Sequence, residues 1–247
     1  MRLRLVIAYH GGSHEGWQSQ RGGRTVQDRL EKAFFELCGM PVTVQGAGRT
    51  DAGVHANGQC AHADVPPDRM GISRWPHALN ARLDPSIRIM AAFAVSGDFH
   101  ARFHAAGKHY RYRIWNAAAL PPLLKDRAWH VPLRLDRRAL RRVARVFEGT
   151  HDFAAFSARR PKGNDDTRRC IDSIAVHTAG AEIVVDFKGP GFLYKMVRIV
   201  TAAIVRHAAG RCDLEDLQER LERGTPSFSH AAPAQGLCLE EVFYPPS

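Results

Sequence analysis

An acid and a base two residues apart, on a frame of glycine, stand in residues 45–56, Gln-Gly-Ala-Gly-Arg-Thr-Asp-Ala-Gly-Val-His-Ala. Asp51 is the acid and Arg49 the base, and Gly46, Gly48 and Gly53 let the backbone turn sharply or approach a ligand closely. A nearby cation keeps a carboxylate ionised, and an ionised carboxylate can act as a nucleophile. At about 4 Å in a partly solvated site, opposite unit charges attract by roughly 4 kcal/mol before desolvation is counted. A cation beside the acid also lets the anion stand against a polyanionic substrate. Two carboxylates at matched positions would point to glycoside hydrolysis, but no second acid is tied by sequence to this loop. The spacing alone reads equally well as a turn in which Asp51 bonds its own backbone.

Strands must hold such a loop. The run Pro41-Val42-Thr43-Val44 leads in, and residues 58–65 lead out as a second strand. Upstream, Leu3, Leu5, Ile7 and Tyr9 alternate with Arg2, Arg4, Val6 and Ala8, which predicts a strand over 2–9. A turn-rich loop follows over 10–20. Thr25 then reads as an N-cap with Asp28 three residues on, and Val26, Leu30, Ala33, Phe34 and Leu37 keep helical spacing up to Gly39. A short helix over 74–83, capped by Ser73, and a strand over 87–95 complete the first part.

From Lys108 the chain alternates again. Lys108, Tyr110, Tyr112 and Ile114 share one face, and His109, Arg111, Arg113 and Trp115 the other. Aromatic and cationic residues interleaved on a strand suit RNA, where rings stack on bases and guanidiniums meet phosphates, although an amphipathic strand with solvated arginines has the same pattern. Asp136 caps a helix whose outer face is Arg137, Arg138, Arg141, Arg142 and Arg145, either a solvated face or an RNA contact. A polar, mobile loop is expected over 157–169, and a hairpin over 169–178 and 181–187 with its turn at Ala179-Gly180. A helix is expected from near Gly191 to Gly210, another after Asp213, and a last strand over 237–244. The order of elements agrees with an α+β fold, with a possible domain boundary at Ala117-Ala118-Ala119-Leu120-Pro121-Pro122.

With 35 Lys and Arg against 25 Asp and Glu, the 247-residue chain carries a formal charge of +10, which favours a polyanionic partner, nucleic acid before a membrane surface. Its five cysteines are scattered without a Cys-x-x-Cys pair, which suggests neither a disulfide framework nor a zinc site and fits reduced thiols in a cytosolic protein. No signal peptide and no apolar run of spanning length is read, and the 13 histidines have no metal-ligand spacing.

Gly48-Arg49-Thr50-Asp51-Ala52-Gly53-Val54-His55 resembles the signature of the tRNA pseudouridine synthase A family. Further matches are Tyr9-His10-Gly11, Gly16-Trp17-Gln18-Ser19-Gln20, Thr25-Val26-Gln27-Asp28-Arg29-Leu30-Glu31, Asp98-Phe99-His100-Ala101-Arg102-Phe103, Tyr110-Arg111-Tyr112, Phe192 with Met196-Val197-Arg198, and Gly236-Leu237-Cys238-Leu239 with Tyr244-Pro245. The resemblance implies the α+β pseudouridine synthase fold: two similar halves, here 1–105 and 106–247, a large, mostly antiparallel sheet flanked by helices, and an active cleft between them. It implies isomerisation of uridine within tRNA, in the anticodon stem-loop, with no cofactor and no metal. Asp51 is then the nucleophile, Tyr110 lies against the target base and aids proton removal, Arg198 pairs with Asp51, and Arg49 helps to extrude the base. A homodimer holding one tRNA is implied too, and the arginine helix is a candidate for that surface.

Three other readings remain at this point. A tRNA-binding protein without catalysis has no need of Asp51. An N-glycosidase would release uracil. A synthase of the same fold could act at another RNA site.

Overall fold

Alternation makes Arg2–Tyr9 the first strand, β1: Leu3, Leu5, Ile7 and Tyr9 are buried, and the residues between them are half-exposed. The computed structural model describes residues 1–67, 69–158, 166–225 and 227–245. The chain divides into two compact units, one of Met1–Ala106 with Cys238–Ser247 and a second of Gly107–Leu237.

In the first unit, α1 (Val26–Cys38) begins with a full capping box. The Thr25 hydroxyl accepts from the Asp28 amide, and the Asp28 carboxylate accepts from the Thr25 amide at 3.1 Å. Gly39 closes the helix in the left-handed region, and the expected stripe of Val26, Leu30, Ala33, Phe34 and Leu37 is buried. Two strands follow, β2 (Val44–Gly46) and β3 (His55–Asp64). β3 starts at His55, three residues earlier than expected, because the turn at 51–54 delivers the chain directly into pairing with β1. The next helix, α2 (Trp75–Asn80), is shorter than expected. Ser73 lies inside a preceding 3-10 turn, so it does not cap, and Pro76 occupies the first helical turn, where no amide is needed. β4 (Ile87–Val95) pairs antiparallel with β1, which pairs antiparallel with β3.

The second unit opens with β5 (Gly107–Trp115) and the short β6 (Trp129–His130), which run parallel. Next come α3 (Arg137–Val146), β7 (Gly149–Asp152) and β8 (Arg168–Ile171), the two strands forming a small antiparallel pair. β9 (Ser173–Ala179) and β10 (Glu182–Gly189) make the expected hairpin, with Gly180-Ala181 at the turn, and β10 pairs antiparallel with β5. The hairpin does not begin at Arg169: Asp172 separates β8 from β9, and its amide bonds the Lys188 carbonyl. α4 (Met196–Ala208) starts five residues later than expected, because Lys195 adopts a left-handed φ of 59° that no helix can include. α5 (Leu214–Arg223) follows, without a side-chain cap from Asp213. The last strand, β11 (Leu237–Phe243), pairs in parallel with β3 through Cys238↔His55 and Leu239↔Ala56, which groups it with the first unit. Helices and mixed sheets make this an α+β protein. The expected polar loop lies mostly in 159–165, outside the described residues.

One buried group makes the fold pH-dependent. His62 on β3 is 3% exposed, and its Nδ1 accepts from the Ala101 amide at 3.2 Å. Burial, with His100 and Arg2 nearby, pushes its pKa from 6.5 to about 4, against the pull of Asp64. The folded protein therefore holds this ring neutral where the unfolded chain would protonate it. Its stabilising effect is expected to be complete above pH 6.5 and to be lost as pH falls from there towards about 4. The loss should reach a few kcal/mol at most, at about 1.4 kcal/mol per pKa unit. Urea unfolding of wild type and His62→Gln across that range checks this: the variant, which keeps an acceptor, should show a flatter profile.

Candidate active site

The stretch 45–56 is a turn strapped down on several sides. Its entry strand β2 pairs with β3, and the Ala47 amide donates to the Cys60 carbonyl at 2.7 Å. The Val54 amide donates to the Asp51 carbonyl at 3.1 Å, closing a four-residue turn whose third position, Gly53, needs its φ of 82°. Asp51, at the first position of that turn, is half-buried. Thr50 is buried just before it, and its carbonyl accepts from the Trp17 amide at 3.0 Å. The Gly48 carbonyl accepts from Gln59 Nε2 at 2.9 Å. His55 follows the turn, and its Nδ1 accepts from the Gly11 amide at 3.1 Å, so its proton is assigned to Nε2. The His10 ring sits 4.6 Å from that of His55. Arg49 is exposed, and its Nε donates to Gln18 Oε1 at 3.1 Å. The motifs 9–11 and 16–20 therefore meet the Asp51 loop in three dimensions, a role that their sequence alone does not reveal.

The second unit positions Tyr110 and Arg198. Tyr110 lies on the buried face of β5 with Tyr112 and Ile114, as alternation predicts, and its ring meets the edge of Phe192 at 5.4 Å and 89°. Arg198 is half-buried on α4, whose neighbouring residues Met196, Val197, Ile199 and Val200 are buried. Its Nε donates to the Ala232 carbonyl at 2.7 Å, and the Ala232 amide returns a bond to the Arg198 carbonyl at 3.0 Å. Beside this strap, the Tyr112 hydroxyl donates to the Pro233 carbonyl at 2.6 Å. Burial pushes the Tyr112 phenol well above its usual range, against the opposing charge of Arg198, so it stays a neutral donor.

A family model described as tRNA pseudouridine synthase matches residues 6–104 and 143–245, which include all four candidate residues except Tyr110. Curated relatives agree. The tRNA pseudouridine synthase A of Akkermansia muciniphila is 46% identical over 99% of this chain and 95% of its own length. The chain belongs to the tRNA pseudouridine synthase family. The proteins of that name from Solidesulfovibrio magneticus and Syntrophotalea carbinolica are 44% and 40% identical over 98% and 99% of this chain, and over 91% and 96% of their own lengths. Among solved structures, a Cbf5-Nop10-Gar1 complex aligns with 82% of this chain and 44% of that one at a TM-score of 0.38 and 10% identity, too slight a likeness to bear on function.

In this pseudouridine synthase, an isomerase by family, the cationic face of β5 is tied up within its own sheet. Asp186 on β10, 7% exposed, accepts from His109 at 2.7 Å and from Arg111 at 2.9 and 3.2 Å. Burial opposes ionisation of that carboxyl, but Arg111 and His109 outweigh it and hold the pKa below the usual range. Arg113 bonds Glu182 at 3.3 Å. The interleaved cations of β5 thus have a structural role, while the tyrosines face the other way. On α3 all five arginines are exposed, and two are engaged by the hairpin: Arg137 bonds the Gly180 carbonyl and Arg141 the Thr178 hydroxyl. Among the described residues, no three His, Cys, Asp or Glu side chains are grouped to hold a metal ion, and no helix is long and apolar enough to cross a membrane.

Proposed function

We propose that this synthase acts on uridines of the tRNA anticodon stem-loop, at about positions 38 to 40, where the target base must leave its stack, and that Asp51 is the nucleophile. Isomerisation of uridine within tRNA follows from the family. The observation that carries the further reading is the position of Asp51: one carboxylate, half-buried at the head of a turn whose backbone is bonded on both sides. A nucleophile needs that fixed placement.

The reaction balances without an oxidant or a reductant. The bond from uracil N1 to ribose C1′ breaks, the base turns, C5 bonds to C1′, and the proton lost from C5 is matched by one gained at N1. A carboxylate can assist by adding to C6 of the base or to C1′ of the ribose. Tyr110 is assigned to stack on the base and to take part in proton removal from C5. Arg198 supplies positive charge to the reaction, and Arg49, exposed beside Asp51, helps to displace the base. A homodimer that holds one tRNA, working in the cytoplasm, completes this reading.

Unmodified tRNA transcripts with uridines in the 3′ half of the anticodon stem-loop test it. Pseudouridine, mapped by chemical derivatisation and primer extension, is expected there and nowhere else. Product at another site would replace the stem-loop, and free uracil with abasic tRNA would make the protein a glycosidase.

Tyr110→Phe separates chemistry from packing. The ring and its contact with Phe192 are kept, so the variant should stay folded at the assay temperature. Single-turnover product formation is expected to fall about 100-fold, the scale of a lost general acid–base group. An unfolded or fully active variant would remove Tyr110 from its role.

A further inference from the structure

The proposed chemistry leaves Tyr9 and Gln59 without a function, although both are buried against the Asp51 loop. Tyr9 ends β1, is 5% exposed, and shares a 2.8 Å hydrogen bond with Thr50 Oγ1. Gln59 on β3 is fully buried. Its Nε2 donates to the Gly48 carbonyl at 2.9 Å and reaches the Tyr9 hydroxyl at 3.5 Å. The two residues that flank Arg49 are therefore gripped from inside the protein, and the second of them, Thr50, directly precedes Asp51.

Two features show that this is more than packing. The pairing of β1 with β3 is regular from Arg2↔Asp64 to Ile7↔Gln59 and then shifts, so that Tyr9 faces Ala56. The extra residue lies on β3, between Gln59 and Ala56, while β1 keeps its alternation through Tyr9, and bulges of this kind concentrate beside active sites. Gln59 Oε1 is buried with no hydrogen-bond partner among the described residues. A buried acceptor left unsatisfied costs stability, so an apolar residue would serve a purely packed position better.

We propose that Tyr9 is a positioning residue of this synthase, which acts through Thr50 and with Gln59 fixes the place of Asp51 relative to the substrate. The inference rests on the nucleophile reading of Asp51. Burial raises the phenol of Tyr9 well above its usual range, despite its bonds to Thr50 and Gln59, so the clamp keeps the same protonation at every working pH.

The test compares Tyr9→Phe, Thr50→Val, Thr50→Ser and the double variant Tyr9→Phe/Thr50→Val on unmodified tRNA transcript. Single-turnover rates are expected to fall by about 10- to 100-fold for Tyr9→Phe and for Thr50→Val, the scale of a misplaced reacting group, while tRNA affinity stays near wild type and the melting temperature, lowered by the loss of one buried bond, stays above the assay temperature. The double variant should lose no more than either single one, because both remove the same bond. Thr50→Ser, which keeps the hydroxyl, should recover most of what Thr50→Val loses. Trypsin gives a readout that needs no turnover: cleavage after the exposed Arg49 should quicken in Tyr9→Phe while other sites are cut as before. Wild-type rates in Tyr9→Phe would overturn the proposal. A rate loss matched by weaker tRNA binding, or by a melting temperature below the assay temperature, would overturn it too, as would additive losses in the double variant. If Asp51→Ala keeps full turnover, the nucleophile reading fails, and the proteolysis result still decides whether the clamp exists.

Discussion

Asp51→Ala is expected to leave a folded protein that binds tRNA and makes no measurable pseudouridine, with single-turnover rates down by on the order of 10^4-fold or more, about 5 kcal/mol or more in transition-state stabilisation. The fold should survive. Asp51 is only half-buried, and its main-chain carbonyl, which closes the turn with the Val54 amide, is kept in the variant. Point substitutions outside a packed core typically cost on the order of 1 kcal/mol, too little to unfold the protein. Binding should survive, because the loss removes a negative charge from a protein whose formal charge is already +10 and whose partner is a polyanion. Asp51→Asn refines the result. It keeps the shape and cannot attack, so it should be as inactive as the alanine variant. If either variant formed pseudouridine at the wild-type rate, the carboxylate would have no covalent role, and one of the remaining groups would have to carry the chemistry.

Local pattern explains why parts of this fold could be read from the sequence. β1 declares itself by strict alternation, and α1 by a capping box, an apolar stripe and a closing glycine, all within 15 residues of chain. The start of α4 could not be read that way. Residues 191–195 continue an apolar run, and nothing in Lys195 announces a left-handed backbone. The short α2 misleads for a similar reason, since Ser73 has the chemistry of a cap but sits one residue before the cap position, inside a 3-10 turn. Long-range pairing is the other limit. The arginines of β5 read either as an RNA-binding face or as a solvated one, and only pairing with β10 shows Asp186 and Glu182 placed beside them. The parallel return of β11 beside β3 is equally silent in the sequence. The site divides in the same way. Asp51 and Arg49 stand out by residue type on a glycine frame, whereas Tyr9 and Gln59 reach that frame only through contacts across 41 and 11 residues of chain.

Gly11→Ala is expected to slow the enzyme by up to about 100-fold without altering any of the proposed reacting groups. A Cβ at this position would lie 2.1 Å from the Val54 carbonyl oxygen, 2.5 Å from its carbon and 2.8 Å from the Gly53 carbonyl carbon. All three are main-chain atoms of the turn that carries Asp51, so no flexible side chain can yield. Gly11 cannot retreat freely either, because its amide is bonded to His55 Nδ1. Val54 is 2% exposed and has no room to move inward. The turn must therefore shift by about an ångström, which typically costs roughly 1–3 kcal/mol of stability and up to 100-fold in rate. Gly71→Ala is the control: a Cβ there meets nothing within 4 Å, and neither stability nor rate should change. Urea unfolding and single-turnover assays on the two variants, with tRNA affinity measured alongside, give the answer. A large rate loss at Gly11 with affinity retained means that the floor beneath the turn sets the position of the carboxylate. A wild-type rate would mean that the turn can relocate without consequence, and the placement of Asp51 would then depend on the substrate rather than on the protein.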